Sequence, residues 1–437
     1  MSTISELQKK KLRDEIYLKN RLLVEGIAFD PEIFKYLDLG GKYIEQVNVL
    51  FARDKHSHSS IEFPACILTP EGNYRTQLRW DKSSPLVLKY EDGQYNIYDK
   101  DRLSIEKVKF ARRPNYYRLN TRDGVSMRTV AVDYGYGAMF VSYSNECSLK
   151  EKGLDCLFCN INATKSIYGE AQNIKWKTPQ QVGETIAAGY KEGFDHLTVS
   201  GGFISERREV EYYIDVAEAV QEHTGLEDFN GTACIGAPAD LSVFAKYKEA
   251  GFRTIATNLE IWNEKMFDVI CPGKSQLCGG RQNWLNALDE ELQVFGKHRV
   301  RSTLVAGIEP KKSLIEGIEY LAERGVVVET SQWNVNIGSP LEGHRTPSQD
   351  WHWDVFEKTA TIYKKYNFTW EEMRTANASA DSVAHDLYRL DQGIEVEEPG
   401  DRVVVMTAKP GKIKTVVPVQ LPRPRDRTSV DFAKGSL

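Results

Sequence analysis

From about residue 126 onward, short apolar runs alternate with longer stretches in which apolar positions recur every three to four residues. The runs "GAMFVSYS" (137–144), "HLTVSGG" (196–202), "GTACIGA" (231–237), "TIATNLEI" (254–261), "RSTLVAGI" (301–308) and "VVVETSQWNV" (326–335) predict strands. Between the first two lies "KTPQQVGETIAAGYKEG", with Thr178 placed to cap a helix, Pro179 at its first position and Val182, Ile186 and Tyr190 on one face. "REVEYYIDVAEAVQEHTG", "DLSVFAKYKEAG", "SLIEGIEYLAERG" and "WHWDVFEKTATIYKKY" repeat that helical rhythm. Strand–helix units in series predict parallel strands with helices outside. Six units are fewer than the eight that close a barrel. The expected class is therefore α/β, a partial (β/α)6 TIM-like barrel spanning 126–394.

The flanks follow another pattern. Residues 1–125 open on a charged helical segment, "MSTISELQKKKLRDEIYLKN", and continue through strand-like pieces with an Asp-Gly turn at 92–93. They predict a mixed α+β N-terminal region without a catalytic signature. Residues 395–437 hold short β-like runs broken by Pro and Gly, which predicts a small β-rich C-terminal appendage and a tail.

Composition narrows the function classes. The 437 residues are 41 % hydrophobic and 27 % charged, values of a soluble globular chain. No apolar run approaches the roughly 18 residues that span a bilayer, so no membrane partner is expected. The N-terminus lacks an apolar signal core, and an odd total of seven cysteines fits a reducing cytoplasm better than a disulfide framework. A net charge of −5 argues against nucleic acid. The basic run "KFARRPNYYR" (109–118) reads as a solvated turn.

Three of the cysteines, Cys147, Cys156 and Cys159, lie in "SNECSLKEKGLDCLFCN" (144–160) with the spacing C-x8-C-x2-C. The loop follows the first predicted strand, at the edge where α/β folds place ligands. Three thiolates on a four-iron cubane leave one iron for a substrate or cosubstrate, whereas four make an electron carrier. The alternative is a zinc site with His196 or another distant residue as fourth ligand.

On these residues the chain resembles the radical S-adenosylmethionine superfamily. Its signature is three cysteines after the first strand of a partial barrel, with an aromatic residue before the last, here Phe158. The eight-residue first gap departs from the commonest spacing. The resemblance implies a [4Fe-4S] cluster on Cys147, Cys156 and Cys159, and S-adenosylmethionine as cosubstrate. It further implies that Ser200, Gly201 and Gly202 in "SGGF" lie by the methionyl portion, with Phe203 standing where the family carries an acid. Asn258 and Glu260 in "NLE", similar to biotin-synthase-like and lipoyl-synthase-like branches, would then hydrogen-bond the ribose or amino-acid portion. Ala306, in "STLVAGIE", would lie against adenine, and "NIGSPLEGHRTPS" (336–348) near the substrate.

Other residues carry two readings. Arg301 suits a substrate carboxylate, or equally an architectural pair with Glu260 or Glu329. Glu329, Gln332, Asn334 and Asn336 share a strand and its exit, so several can face the interior. Cys271 is a reactive or hydrogen-donating thiol, or with Cys278 a plain loop thiol or part of an auxiliary cluster. Cys234 reads as inert, and His344, His352 and His385 as structural. The expected activity is hydrogen abstraction from a small amino-acid-like or carboxylate substrate, leading to cleavage, rearrangement or dehydrogenation. An external electron donor such as flavodoxin or ferredoxin is implied. The alternatives are a peptide or protein substrate, and a non-catalytic cluster-binding protein.

Overall fold

The computed structural model describes residues 5–37, 44–46, 62–99, 102–144, 146–160, 176–335, 338–393, 402–406 and 413–418. Packing divides the chain into a unit ending at Ile394 and a second from Glu395. In the second, Arg402–Met406 pairs antiparallel with Ile413–Pro418, with a register shift at Val405/Met406.

The first unit is organised by a seven-stranded sheet. Six strands are parallel and neighbour one another in chain order: β1 Ala138–Ser142, β2 His196–Ser200, β3 Gly231–Ile235, β4 Phe252–Thr257, β5 Val300–Ala306 and β6 Val326–Gln332. This curled half-barrel is the fold expected from the alternating pattern. Each strand feeds a covering helix: α1 Pro179–Lys191, α2 Glu206–Thr224, α3 Phe244–Glu249, α4 Gly280–Phe295, α5 Lys311–Arg324 and α6 Gln349–Lys365. Local chemistry sets these boundaries. Thr178 and Gln181 form a reciprocal capping box before α1, and Gly225 and Gly325 end α2 and α5 in left-handed geometry. The seventh strand, Val132–Gly135, adds antiparallel to the edge at β1 through a tight turn.

The N-terminal region is a helix, Glu6–Glu25, and a five-stranded antiparallel sheet over an aromatic core of Phe29, Phe34, Phe63, Trp80, Tyr95 and Phe110. The basic run at 109–118 is less solvated than its charge suggests. Phe110 is buried at the end of its strand and Tyr116 and Tyr117 on the 3-10 turn Asn115–Arg118, while Arg112 and Arg118 stay exposed. The fully buried Lys19 reaches from the N-terminal helix to Asp386 at 2.6 Å, tying this region to the barrel side of the unit.

One end of the half-barrel is plugged. The segment Trp370–Ala376 and the turn after it lie under the strand starts. Arg374 pairs with Asp195 at 2.7 Å, the Thr375 carbonyl accepts from Thr232 and Thr254, and Asn377 accepts from Arg301. The opposite end, where the strands finish, is left for the site. Among the described residues no helix is long and apolar enough to cross a membrane.

Candidate active site

Register and exposure together identify the concave face. Thr198 stands beside Phe140 and Thr232, Ser200 beside Ser142, Cys234 beside Ala256, Thr303 beside Glu329, and Val305 beside Ser331. Within these strands Phe140, Ser142, Ser200, Cys234 and Thr303 are half-buried and Ser331 is exposed, while the residues alternating with them, the terminal Gln332 excepted, are buried beneath the helices. Side chains on one face of a strand recur every second residue. The curl is therefore an accessible surface of small polar groups. Arg301 and Glu329 lie deeper on it and are 6 % and 8 % exposed.

The cysteine loop leaves β1 at the open end. Tyr143 donates its backbone N–H to the Ser200 carbonyl (2.8 Å) and its hydroxyl to that of Gly202 (3.2 Å), which fixes the start of the loop against the end of β2. Gly201 is required there: a Cβ would come within 2.4 Å of the Tyr143 ring. Cys147 opens a single helical turn, Ser148–Glu151, whose first N–H is held by the Phe203 carbonyl at 2.8 Å. Cys156 and Cys159 follow, joined by a backbone hydrogen bond of 3.0 Å. None of the three forms a disulfide, and all are half-buried, as is Phe158. Among the described residues no three His, Cys, Asp or Glu side chains converge as they would on a single ion. A mononuclear zinc site needs its sulfurs at about 2.3 Å from one centre, whereas a cluster spreads its thiolates over separate irons. His196 stands at the start of β2, about 13 Å down the strand from Ser200 at 3.3 Å per residue. There it bonds Thr198 and Thr232, and burial pulls it down to about 3. The zinc alternative loses its named ligand.

Two further segments brace the loop. The strand-six exit reaches it where Leu341 N–H meets the Leu157 carbonyl at 3.1 Å. Between β4 and α4 an insertion of two short helices, Glu264–Ile270 and Pro272–Leu277, presses against Leu154 and Leu157. Cys271, wholly buried at the junction of those helices, hydrogen-bonds Cys156. The bond holds Cys156 below and Cys271 well above the usual thiol range. Cys278 also comes near Cys147 and Cys156, and burial pushes it up to about 11. The insertion brings Lys274 as well, which sequence reasoning missed. Its ammonium lies 2.8 Å from the Asn258 carbonyl, 3.3 Å from Glu260 Oε1 and 5.0 Å from the Trp284 ring. Burial lowers its pKa, but Glu260 and the thiols of Cys156 and Cys271 raise it further, so it stays charged.

The "NLE" element lies where β4 ends. Asn258 accepts from Thr303 N–H (3.1 Å) and points its amide at Cys234 Sγ (3.6 Å). Glu260 is held at φ +70°, an unusual conformation for a residue with a side chain, by backbone bonds of 2.8 Å to Thr303 and Val305. Ala306 is buried at the end of β5, its carbonyl taking the Trp333 N–H at 2.8 Å. Gln332 ends β6, half-buried, and Asn334 accepts from Arg79 at 2.7 Å. Asn336 lies outside the described residues. Arg301 stands one residue into β5, bonded to Asn377 Oδ1 at 3.2 Å, near the plugged end and away from Glu260. Glu329 is pushed up to about 7 by burial, which outweighs the pull of Arg301. His352 bonds Thr346 and His385 is fully enclosed, both structural places.

A half-barrel of six parallel strands with three cysteines in the loop after the first is the arrangement of the radical S-adenosylmethionine enzymes, and the chain resembles them. Such enzymes carry a [4Fe-4S] cluster and S-adenosylmethionine. No family model matches the chain. It is 26 % identical over 243 residues to bacteriochlorophyllide c C-7(1)-hydroxylase of Chlorobaculum limnaeum, which covers 52 % of this chain. The chain spans 60 % of that relative's length. Among solved structures it is similar to methylornithine synthase (19 % identity, 66 % of this chain and 77 % of that one, TM-score 0.41). It is also similar to coproporphyrinogen III oxidase from Escherichia coli, a radical SAM enzyme (11 % identity, 53 % of this chain and 52 % of that one, TM-score 0.37).

Proposed function

We propose that this chain is a radical S-adenosylmethionine enzyme that abstracts hydrogen from a small, carboxylate-bearing molecule held on the concave face. The observation that carries the reading is the placement of Cys147, Cys156 and Cys159, half-buried and outside any disulfide, in the loop at the open end of that face. The donor set fits a cluster: three thiols, with the charged Lys274 alongside to offset thiolate charge. When bound, the cluster and its cosubstrate would supply one electron and a 5′-deoxyadenosyl radical.

The chain's own residues hold and orient the partners. In this reading Cys147, Cys156 and Cys159 ligate iron, and Phe158 shields the loop from water. Ser200, Gly201 and Gly202 offer carbonyls to the methionyl amino group in place of the acid that Phe203 lacks. Asn258 and Glu260 take the ribose or amino-acid portion, and Ala306 lies against adenine. The substrate then occupies the polar curl below. Arg301 and Glu329 form its floor, and each keeps an atom, Nε and Oε2, without a hydrogen-bond partner among the described residues. Buried polar atoms left in that state are costly unless a ligand or water completes them. Gln332 stands at the rim, where β6 ends, and Asn336 is taken as a further substrate residue in this reading. An electron donor such as flavodoxin or ferredoxin would dock at the exposed edge of the loop. The hydroxylase relative supports chemistry that begins at a C–H bond, in the biosynthesis of a small molecule.

Anaerobic reconstitution tests the reading. The full chain should bind about four irons with matching sulfide, and convert S-adenosylmethionine to 5′-deoxyadenosine when reduced with dithionite. Cys156→Ala and Cys159→Ala should abolish both. One zinc without sulfide, or no 5′-deoxyadenosine from loaded protein, would sink it.

A further inference from the structure

Two backbone hydrogen bonds frame Cys156 and Cys271. Leu157 N–H donates to the Ile270 carbonyl, and Gly273 N–H donates to the Leu154 carbonyl, both at 2.9 Å. The segments 154–157 and 270–273 thus face each other with one cysteine in each. The approach is close enough that Gly273 cannot carry a side chain, because a Cβ would meet the Leu154 carbonyl oxygen at 2.4 Å and Leu149 Cβ at 2.9 Å. Cys271 is anchored on its own side by Cys271 N–H to Phe267 (2.8 Å) and Ser275 N–H to its carbonyl (3.0 Å). Its side chain is fully enclosed within this frame, facing the segment that carries Cys156, whose thiol is the strongest influence on it. A plain loop thiol needs none of this framing.

We propose that Cys271 is a positioning residue of the cluster site, whose thiol donates a hydrogen bond to the sulfur of Cys156 and so sets how readily the cluster accepts its electron. The inference rests on the function proposed above. Hydrogen bonds to ligand sulfur are among the factors that fix the potential of an iron–sulfur cluster. A donor stabilises the more negative, reduced state, so its removal makes reduction harder. A hydrogen bond to a charged acceptor is worth about tenfold in an equilibrium, which for one electron corresponds to about 59 mV. Cys271 does not leave Cys156, exchange with it or react in this role. It acts only through the sulfur it touches.

The test uses the full chain, loaded anaerobically, in wild type and in Cys271→Ala, Cys271→Val and Cys271→Ser. Iron and sulfide are counted in each, and the reduction of the cluster is titrated by electron paramagnetic resonance. The Ala and Val forms should reduce about tenfold less favourably, about 59 mV lower, and Ser, which keeps a donor, should recover most of the difference. Val fills the space that Ala vacates, so a packing defect in Ala does not decide the outcome. Ala and Val forms that titrate with wild type would overturn the inference, as would a Ser form displaced as far as Ala. Wild type that binds no iron and sulfide would overturn the functional reading itself, a different result from loaded protein whose potential does not move.

Discussion

Lys274→Met is the perturbation that probes the site most directly through stability. The ammonium lies 3.3 Å from Glu260 Oε1, and the two side chains are only 12 % and 14 % exposed. With an effective dielectric constant of about 20, opposite charges at that separation attract by about 5 kcal/mol. Deleting one partner of a buried pair typically costs 3–5 kcal/mol, because the other charge stays behind uncompensated. Methionine keeps most of the side chain's length and volume, so the loss is chiefly electrostatic. The partial exposure of both groups places the expected cost near the lower figure, about 3 kcal/mol. Glu260→Gln alone leaves the ammonium its Asn258 carbonyl (2.8 Å) and should cost about 1–2 kcal/mol. In Lys274→Met/Glu260→Gln no charge is stranded, and about 2 kcal/mol should return relative to the sum of the single changes. Urea unfolding of cluster-free protein at pH 7, followed by tryptophan fluorescence, measures all four forms. Strict additivity, or a Lys274→Met cost under about 1 kcal/mol, would refute the pairing.

Gly201→Ala drives a methyl group to 2.4 Å from the Tyr143 ring, which is fully buried, bonded to Gly202 and packed on Tyr212 and Tyr213. Overpacking of this kind costs about 1–3 kcal/mol, and equilibrium dialysis should show weaker S-adenosylmethionine binding, with unchanged binding counting against the placement of the loop. Glu291, fully buried with Thr257 as its hydrogen-bond donor, is raised by burial from 4.5 to about 8. The folded state therefore holds this proton more tightly than the unfolded one, so its contribution is full below about pH 4.5 and is lost as pH rises through 8. At 1.36 kcal/mol per unit, the stability gap between Glu291→Gln and wild type should move by about 4 kcal/mol from pH 5 to pH 8, in favour of the variant. Parallel pH profiles would refute it.

The parts of this fold that are local were legible in the chain. Alternation over five to seven residues marks each strand, and Thr178, Pro179 and Gln181 declare the start of α1 before any packing is known. The cysteine loop was legible for the same reason, since Cys147, Cys156, Phe158 and Cys159 lie in one stretch after a strand. The edge strand Val132–Gly135 was not, because it is short and its turn rests on three successive positive-φ residues, Gly135, Tyr136 and Gly137. Periodicity is silent where glycine conformation does the shaping.

Depth inside the half-barrel is a different kind of quantity. Arg301 and Ala306 belong to the same strand, yet one lies at the plugged end and the other at the open end. Which end each meets depends on the pairing of Ala256 with Arg301 and of Thr303 with Glu329. Register is a property of two strands, and neither strand's sequence states it. The same holds for Cys271 and Lys274. Their own segment, "DVICPGKSQLCGG", carries no ligand spacing, and its meaning comes from Leu154 and Leu157 across the gap. The regular βα units bring the cysteine loop to the mouth, and an irregular insertion then supplies the donor and the charge beside it. Chemistry added to a repeating fold in this way lies in the segments where pattern gives least guidance, because loops answer to distant partners more than to their own periodicity.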